Sequence, residues 1–391
     1  MSYLQSLSLE KRLKFLIFAN YLPHVINFRG KLLEAISNLG YEIHVLAPDI
    51  DDYQQELNYL SKLGYHVHEI PLQRTGTNPL TDFRTLLLAY RILRKIQPDV
   101  ILSYTIKSVI YGTLGAWLAN VPKRFVLISG LGYTFSEVDE KDIRTSLQKF
   151  IHSLYTQALS KSDKVFFQNP DDLNLFKKLE ILKPGIPATV VNGSGVDINN
   201  FNIIPFPTYP SGAIKPSFLL IARLLKDKGI IEYIEAARII KIRHPNTEFH
   251  LVGYIDENPA AITQSQLDEW VASGVVNYWG RLNDVRPAIA ASSVYVLPSY
   301  REGTSRSVLE AMAMGRPIIT TDAPGCRETV VDSRNGFLVP IKTVDELANA
   351  MEQFIKHPEL IKNMGKASRK LTEERFDVNK VNEQMIKEMF L

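Results

Sequence analysis

Residues 294–315 read VYVLPSYREGTSRSVLEAMAMG and contain a strand-like run, a glycine-bearing loop and the start of a helix. Val294–Leu297 is short and apolar, as expected for a buried strand of a parallel sheet. The apolar positions between Val308 and Met314 fit the inner side of a helix that starts just after the loop. This order predicts an anion site, because free backbone N–H groups and the positive end of the helix dipole point at one place.

Two carboxylates flank this loop. Glu302 stands beside Gly303 in the loop, and Glu310 follows in the predicted helix. Carboxylates are strong acceptors for hydroxyl groups, whereas the helix start favours phosphate. The combination therefore predicts a ligand that carries both phosphates and hydroxyls, such as a nucleotide sugar.

The composition is that of an α/β protein with two domains. The chain has 391 residues, of which 45% are hydrophobic and 22% are charged, and this length exceeds a typical single core. The formal net charge of +3 does not indicate nucleic acid as a partner. Cys326 is the one cysteine of the sequence, which excludes an intrachain disulfide framework and fits a reducing cytoplasm.

The N-terminal apolar run, residues 13–19, follows Lys11 and Arg12 and contains Lys14. A buried first strand explains this run better than a signal peptide, which needs a longer apolar core and a cleavage site with small residues. No apolar run approaches 18 residues, so no membrane-spanning helix is predicted. We therefore expect a cytoplasmic protein without a targeting segment.

Short apolar runs alternate with helical patterns in both halves of the chain, which predicts two parallel sheets of doubly wound type. A stretch rich in glycine and proline over residues 191–216 indicates a linker. We expect domains at residues 1–198 and 199–372, and a C-terminal helix over 373–391 that packs back onto the first domain. The predicted strands are 15–19, 43–47, 67–70, 100–103, 125–129 and 164–168, then 218–222, 248–252, 276–278, 294–297 and 317–320, and helical patterns cover 29–39, 53–63 and 81–96.

Two cations follow the first predicted strand of the second half. Arg223 stands at the strand exit, and Lys228 precedes a glycine at a helix start. A planar guanidinium and a compact ammonium suit two-point binding of a diphosphate. Alone they would be ordinary surface cations. With Glu302 and Glu310 they predict a single crevice at the carboxyl ends of the strands.

These residues carry a resemblance to a known family. The second half resembles the retaining glycosyltransferases of the type with two Rossmann-like domains, a family that includes sucrose synthases and bacterial mannosyltransferases. Glu302 and Glu310 match the paired glutamates of that family, and Arg223 and Lys228 match its phosphate-binding pair. More narrowly, the chain resembles the bacterial capsule and glycan subgroup, which extends sugars linked to undecaprenyl diphosphate. The matching stretches are residues 257–259, 284–287, 297–315 and 322–328 and, in the first half, INFR at 26–29 and SGLGY at 129–133.

The resemblance implies the GT-B architecture, an α/β fold in which two Rossmann-like doubly wound domains face a central crevice. It implies retaining transfer of a hexose or N-acetylhexosamine from a UDP-sugar to a lipid-linked saccharide, without metal or other cofactor. Glu310 would bind the ribose, and Glu302 would contact the transferred sugar. The remaining donor contacts would be the backbone N–H groups of Gly303, Thr304 and Ser305, the backbone of Arg281 at the nucleobase, and Arg223 and Lys228 at the departing diphosphate.

Candidate residues for acceptor binding lie in the first half. Many family members place a histidine after a strand of the first domain, but Leu127–Leu131 contains none, so the sequence assigns no catalytic residue there. An ordinary surface or loop role stays open for several of these positions. The candidates are His24, Arg29, Lys107, Gly130 and Tyr133.

Three further patterns have alternative interpretations. Asp49 and Asp51 imitate a metal-binding motif, but they precede a helical pattern where aspartates serve as caps, so no metal is expected. The segments 82–95 and 141–164 combine basic and apolar residues, which predicts either peripheral contact with the anionic inner membrane face or ordinary helix packing.

Two other functions remain open at the level of the sequence. A nucleotide-sugar epimerase would use the same two-domain architecture, but it would require acid and base groups in the crevice. A non-catalytic partner that binds a sugar nucleotide is the second alternative. The close match to the transferase family at residues 299–315 argues against the epimerase, and the complete set of Arg223, Lys228, Glu302 and Glu310 argues against the partner.

Overall fold

The computed structural model describes residues 12–72, 79–131, 146–256 and 258–391. The chain divides into two compact units, one of Met1–Val191 with Asn382–Leu391 and one of Asn192–Val381. Within the described residues, each unit contains one parallel sheet with helices packed on it. The α/β class and the two doubly wound sheets are thereby confirmed.

The first unit is built on a parallel sheet with the strand order β3-β2-β1-β4-β5-β6-β7 in the described part of the chain. Alternate residues of each strand face opposite helix layers: Leu16 and Phe18 enter one core cluster, and Phe15 and Ile17 enter the other. Burial on both faces explains why these strands read as continuous apolar runs. The strands are β1 (Lys14–Phe18), β2 (Glu42–Ala47), β3 (His66–Glu69), β4 (Val100–Tyr104), β5 (Lys123–Ile128), β6 (Lys164–Phe167) and β7 (Ala188–Val190).

The helices of this unit connect the strands in chain order. Helical turns at Leu22–His24 and Val25–Arg29 lead into the first of them, and a 3-10 turn at Ile50–Tyr53 precedes the second. The helices are α1 (Gly30–Asn38), α2 (Gln54–Lys62), α3 (Pro79–Ile96), α4 (Thr113–Leu118), α5 (Ser146–Leu159) and α6 (Pro170–Lys178).

The second unit has the strand order β10-β9-β8-β11-β12-β13 in its parallel sheet, as far as the chain is described. The order reverses between β8 and β11, and such a switch point opens a crevice at the carboxyl ends of the strands. The elements are β8 (Ser217–Ile221), α7 (Ile230–Arg243), β9 (Glu248–Val252), α8 (Gln264–Ala272), β10 (Asn277–Tyr278), α9 (Arg286–Ala290), β11 (Val294–Leu297), α10 (Arg306–Ala313), β12 (Ile318–Thr321), β13 (Gly336–Val339), α11 (Val344–Lys356) and α12 (Glu359–Leu371). The last helix, α13 (Val378–Met389), begins in this unit, and its residues from Asn382 onward belong to the first unit.

Two edge strands, β7 and β13, were absent from the sequence-based prediction. Ala188–Val190 is only three residues long and half-buried, so it lacks the apolar run that marked the other strands. Gly336, which weakens a strand pattern, opens β13. A Cβ at this position would lie well under 3.0 Å from the carbonyl oxygen of Ile318, so the close approach to β12 requires glycine.

The end of the chain, from Asn382, belongs to the first unit. Met385 and Met389 are buried in its core, and the side-chain amide of Gln384 donates a 3.4 Å hydrogen bond to the carbonyl of Val190. Glu388 forms an ion pair with Lys164 at the start of β6. These contacts attach the C-terminal helix to the edge of the sheet that ends in β7.

Three histidines and a glutamate lie together on β2 and β3. The imidazole Nδ1 of His44 is 2.9 Å from Nε2 of His68, and its Nε2 is 2.9 Å from Oε1 of Glu42. His66 stacks on His44 with ring centroids 5.0 Å apart. Burial, with a smaller contribution from His68, lowers the pKa of His44 to about 4, and burial also lowers the pKa of His68.

We expect acid to destabilise the protein through His44. The pKa of His44 in the folded protein lies below the ordinary value of about 6.5. The contribution of His44 to the free energy of unfolding is therefore fully present above pH 6.5 and is lost as the pH falls from 6.5 towards 4. The expected loss is about 1–3 kcal/mol in the free energy of unfolding. Urea titrations at pH 7.5 and pH 5 measure this difference, and His44→Gln should reduce it. The exposed His357 provides the matched control, and an equal reduction in His357→Gln would contradict the assignment to His44.

No helix in the described parts of the chain is long and apolar enough to cross a bilayer.

Candidate active site

The turn after β8 places the two predicted phosphate-binding cations. A 3-10 turn at Lys226–Lys228 ends at Gly229, which has a φ of +71° and opens α7. A Cβ on Gly229 would lie well under 3.0 Å from the carbonyl oxygen of Pro298, directly after β11. Glycine therefore permits both the left-handed turn and the close approach of the β8 and β11 loops.

The loop that carries Glu302 is fastened on two sides by backbone hydrogen bonds. The backbone N–H of Tyr300 donates to the carbonyl of Asp227 at 2.9 Å, which ties the loop to the turn after β8. The backbone N–H of Glu302 donates to the carbonyl of Pro324 at 2.9 Å, which ties it to the loop after β12. Three successive strand exits, those of β8, β11 and β12, thus converge at one edge of the sheet.

Lys228 and Glu302 are in direct contact at this edge. The ammonium Nζ of Lys228 lies 2.7 Å from Oε1 of Glu302, and each side chain is 15% exposed. The sequence predicted that both residues face the donor, but it gave no reason to expect that they pair with each other. A carboxylate and an ammonium in contact and partly shielded from water form a strong charge-assisted hydrogen bond.

Arg223 is more open than Lys228. Its guanidinium Nη1 lies 3.0 Å from Oδ2 of Asp256, after β9, and its side chain is 44% exposed. An exposed ion pair of this kind contributes little to stability, so the Arg223 guanidinium is only weakly bound to Asp256.

Glu310 is buried on the second turn of α10 and accepts a hydrogen bond from Arg306. The guanidinium Nε of Arg306 lies 2.7 Å from Oε1 of Glu310, at the i, i+4 spacing of a helix. Burial raises the pKa of the Glu310 carboxyl and the carboxylate of Asp284 raises it further, whereas Arg306 opposes both effects. Arg306 therefore favours the ionised form of a carboxylate that burial alone would tend to protonate.

The residues between the two glutamates form the approach to α10. Ser305 is extended (φ −69°, ψ 118°) and precedes the first helical residue, Arg306. The Oγ atoms of Ser305 and Ser307 are 3.2 Å apart, and Thr304 Oγ1 donates to the carbonyl of Gly303 at 2.9 Å. The backbone from Gly303 to Ser305 thus leads into the positive end of the α10 dipole, where phosphate is favoured.

Arg281 follows β10, and its guanidinium carbon lies 4.8 Å from the ring centroid of Tyr254. This stacking fixes the side chain on a neighbouring strand exit, because Tyr254 follows β9. The predicted role of Arg281 concerns its backbone and stays a prediction.

Candidate acceptor residues of the first unit follow strands β1, β4 and β5, which are neighbours in its sheet. His24 packs edge-on against Tyr21 with ring centroids 4.7 Å apart. Arg29 is only 3% exposed and lies 5.5 Å from the ring centroid of Tyr104, so its guanidinium is buried. The other candidates are Lys107, whose Nζ is 3.0 Å from Oδ1 of Asp82; Gly130, at a φ of +136°; and Tyr133, which lies outside the described residues.

In the described residues, no cluster of three or more His, Cys, Asp or Glu side chains is arranged to hold a metal ion. Asp49 adopts a left-handed conformation with φ of 51° before the 3-10 turn at Ile50–Tyr53, which contains Asp51. The two aspartates therefore begin a helical turn.

Sequence reasoning missed two supports of this site. The Arg306 and Glu310 pair has the i, i+4 spacing that stabilises helices, so its signal was present in the sequence. The contact of Pro324 and Gly325 with the Glu302 loop joins residues far apart in the chain and follows only from the adjacency of β11 and β12.

We expect Gly325→Ala to disable the Glu302 loop. Gly325 has a φ of +75°, and a Cβ there would lie well under 3.0 Å from the carbonyl oxygen of Glu302. The loop must shift to relieve this clash, and displacement of a substrate contact by about 1 Å costs about 100-fold in rate. Steady-state kinetics and thermal unfolding measure the effect.

Gly274→Ala is the matched control for this change. Gly274 has a similar φ of +67°, but a Cβ there meets nothing within 4 Å. It should show the cost of backbone strain, about 1 kcal/mol in stability, with little change in rate. Similar kinetic losses in both variants would contradict a specific role of Gly325.

Comparison with known proteins relates both units to one class of enzyme. Residues 13–169 match the family model described as "Glycosyl transferase 4-like", and residues 210–371 match "Glycosyl transferases group 1". A solved structure, sucrose-phosphate synthase from Thermosynechococcus elongatus, aligns with a TM-score of 0.75 at 19% identity, covering 96% of this chain and 98% of its own. That likeness shows the shared GT-B fold.

Two curated relatives have more specific names. The N,N'-diacetylbacillosaminyl-diphospho-undecaprenol alpha-1,3-N-acetylgalactosaminyltransferase of Campylobacter jejuni is 29% identical over 88% of this chain and 89% of its own length. The UDP-Gal:alpha-D-GlcNAc-diphosphoundecaprenol alpha-1,3-galactosyltransferase of Escherichia coli is 25% identical over 72% of this chain and 73% of its own length. With the two family matches, these relatives show that the chain is a glycosyltransferase enzyme of the GT-B class, in which residues 210–371 match the group 1 family.

Proposed function

We propose that this glycosyltransferase moves a hexose or an N-acetylhexosamine from a UDP-sugar to a saccharide linked to undecaprenyl diphosphate, with retention of the anomeric configuration. The transfer would extend a lipid-linked sugar in the assembly of a bacterial surface glycan or glycoprotein glycan. The proposal includes no metal and no other cofactor.

The relatives support the acceptor and the type of linkage. The names of the Campylobacter jejuni and Escherichia coli enzymes each contain an acceptor linked to undecaprenol through a diphosphate, and each specifies an alpha-1,3 linkage. The Escherichia coli name also specifies a UDP-sugar. If the donor is an alpha-linked UDP-sugar, an alpha-linked product corresponds to retention.

The 2.7 Å contact between Lys228 and Glu302 is the observation that carries the donor assignment. It brings a cation for a diphosphate and a carboxylate for sugar hydroxyls to one point at the carboxyl edge of the sheet. Glu310 adds a second carboxylate, which is buried on α10, for the ribose. A diphosphate between two polyhydroxylated rings is the ligand that satisfies all three groups.

The proposed reaction follows from these charges. The bond between the anomeric carbon and the diphosphate oxygen breaks, and its electron pair stays on the diphosphate. The acceptor hydroxyl attacks the anomeric carbon from the same face, and the departing phosphate oxygen takes the hydroxyl proton. Arg223, Lys228 and the start of α10 would stabilise the charge on the leaving group, and Glu302 would flank the cationic sugar. Neither glutamate has to transfer a proton.

Incubation of the purified enzyme with radiolabelled UDP-sugars and a lipid-linked saccharide tests the proposal. Transfer predicts label in the organic phase and a stoichiometric release of UDP. A screen of UDP-GalNAc, UDP-GlcNAc, UDP-galactose, UDP-glucose and GDP-mannose would identify the donor. An isomerised nucleotide sugar without label transfer would contradict the proposal in favour of an epimerase, and tight UDP binding without either product would favour a non-catalytic partner.

The epimerase alternative receives no support from the relatives described above, because both are transferases by name.

A further inference from the structure

The sheet of the first unit carries three neighbouring helices on one of its faces. Ala89 and Leu93 of α3, Ala116 of α4, and Tyr155 and Leu159 of α5 all belong to one core cluster. That cluster includes the strand residues that alternate with those of the opposite core, so the three helices lie in a single layer. Their outward sides therefore face the same direction.

The outward side of this layer exposes large apolar side chains. Phe83 and Leu87 stand one turn apart on α3, Trp117 and Leu118 lie at the end of α4, and Phe150 lies on α5. Phe83 is 67% exposed and Phe150 is 54% exposed, although a ring of this size gains about 1.5–3 kcal/mol from burial. The group is spread over three helices and is not an isolated surface residue.

The same side is positively charged. Arg84, Arg91, Arg94 and Lys95 are exposed on α3, and Lys149 is exposed on α5. The three helices contain one carboxylate, Asp82, which is already paired with Lys107 at 3.0 Å. Lys161, just after α5, lies 4.5 Å from the ring centroid of Trp117, so cationic and aromatic groups are in direct contact.

We propose that this basic–aromatic face, formed by the exposed residues of α3, α4 and α5, docks on an anionic lipid bilayer. Anionic headgroups complement the cations, and the interfacial region buries the aromatic and aliphatic side chains. A soluble polyanion such as RNA satisfies the cations, but it leaves dispersed apolar side chains on three helices largely in water. The inference rests on the residues of the face and does not depend on the proposed donor or acceptor.

Vesicle flotation without any substrate tests the docking. The full-length protein is mixed with one of two kinds of vesicle. One kind contains phosphatidylcholine alone, and the other contains phosphatidylcholine with about 30% phosphatidylglycerol, which makes its surface anionic. We expect binding to the anionic vesicles that weakens strongly between about 0.1 M and 1 M salt. Arg84→Glu, Arg91→Glu and Arg94→Glu combined should lower the partition coefficient by about 100-fold or more.

A matched charge reversal lies on the second unit. Lys362, Lys366 and Lys370 are exposed along one side of α12, so their combined replacement by Glu changes the net charge by the same amount. This control should bind anionic vesicles like the wild type. Equal losses in the two triple variants, or no preference of the folded wild type for anionic vesicles, would overturn the proposal.

Trp117 distinguishes a bilayer from a soluble polyanion. Lipids brominated on their acyl chains should quench part of the tryptophan fluorescence of the wild type, and Trp117→Phe should lose that part. Phe83→Ser with Phe150→Ser should weaken vesicle binding while leaving the binding of single-stranded RNA unchanged. Binding without quenching, together with equally strong RNA binding, would assign the face to a soluble polyanion and contradict docking on lipid.

Discussion

Replacement of Lys228 by alanine is expected to lower kcat by about 100-fold or more, because prealigned cations at a leaving group supply several kcal/mol. Arg223→Ala should have an effect of the same order. The loss should appear in single-turnover experiments with saturating donor, since the negative charge on the diphosphate develops as the bond breaks. Rapid-quench measurement of label transfer gives this rate directly.

Lys226 is the matched control for these variants. It lies in the same 3-10 turn as Lys228 but is exposed. Lys226→Ala should therefore retain nearly the wild-type rate. Near-normal turnover in both Lys228→Ala and Arg223→Ala would exclude the assignment of these residues to the diphosphate.

Replacement of Glu302 by glutamine is expected to separate binding from chemistry. The variant should lose about 100-fold in kcat, because it lacks the carboxylate that is proposed to flank the cationic sugar. It should nevertheless bind UDP roughly 3- to 10-fold more tightly, since the Lys228 ammonium is no longer held by a carboxylate 2.7 Å away. Initial rates and UDP inhibition constants, measured on the same preparation, give both quantities.

Local patterns predicted most of the fold and the elements on which the candidate site residues lie. The apolar run at Val294–Leu297 became β11 with the predicted bounds, and Glu310 came to lie in the predicted helix. Both predictions depend on residues close together in the chain, where strand burial and helix periodicity leave a clear signal. The short strands β7 and β13 left no such signal in the sequence.

Contacts between distant segments were beyond the reach of the sequence. The pairing of Lys228 with Glu302 depends on the meeting of two loops, and the burial of Arg29 against Tyr104 depends on the adjacency of β1 and β4. Arg29 reads as an available loop cation, but packing made it an interior residue. The basic and apolar segments also depend on contacts between distant parts of the chain. Only the packing of α3, α4 and α5 in one layer shows that the exposed residues of these segments lie on one side of the unit.

Titration of UDP into the wild-type enzyme and into the Glu302→Gln and Glu310→Gln variants tests most directly whether the two glutamates face different parts of the donor. Replacement of Glu310, which is proposed to bind the ribose, by glutamine should weaken UDP binding by about 10-fold or more. Replacement of Glu302, which is proposed to face the transferred sugar and which pairs with Lys228, should tighten UDP binding. Opposite signs of the change are the predicted result, and weaker UDP binding in both variants would contradict the division of roles at the centre of this site.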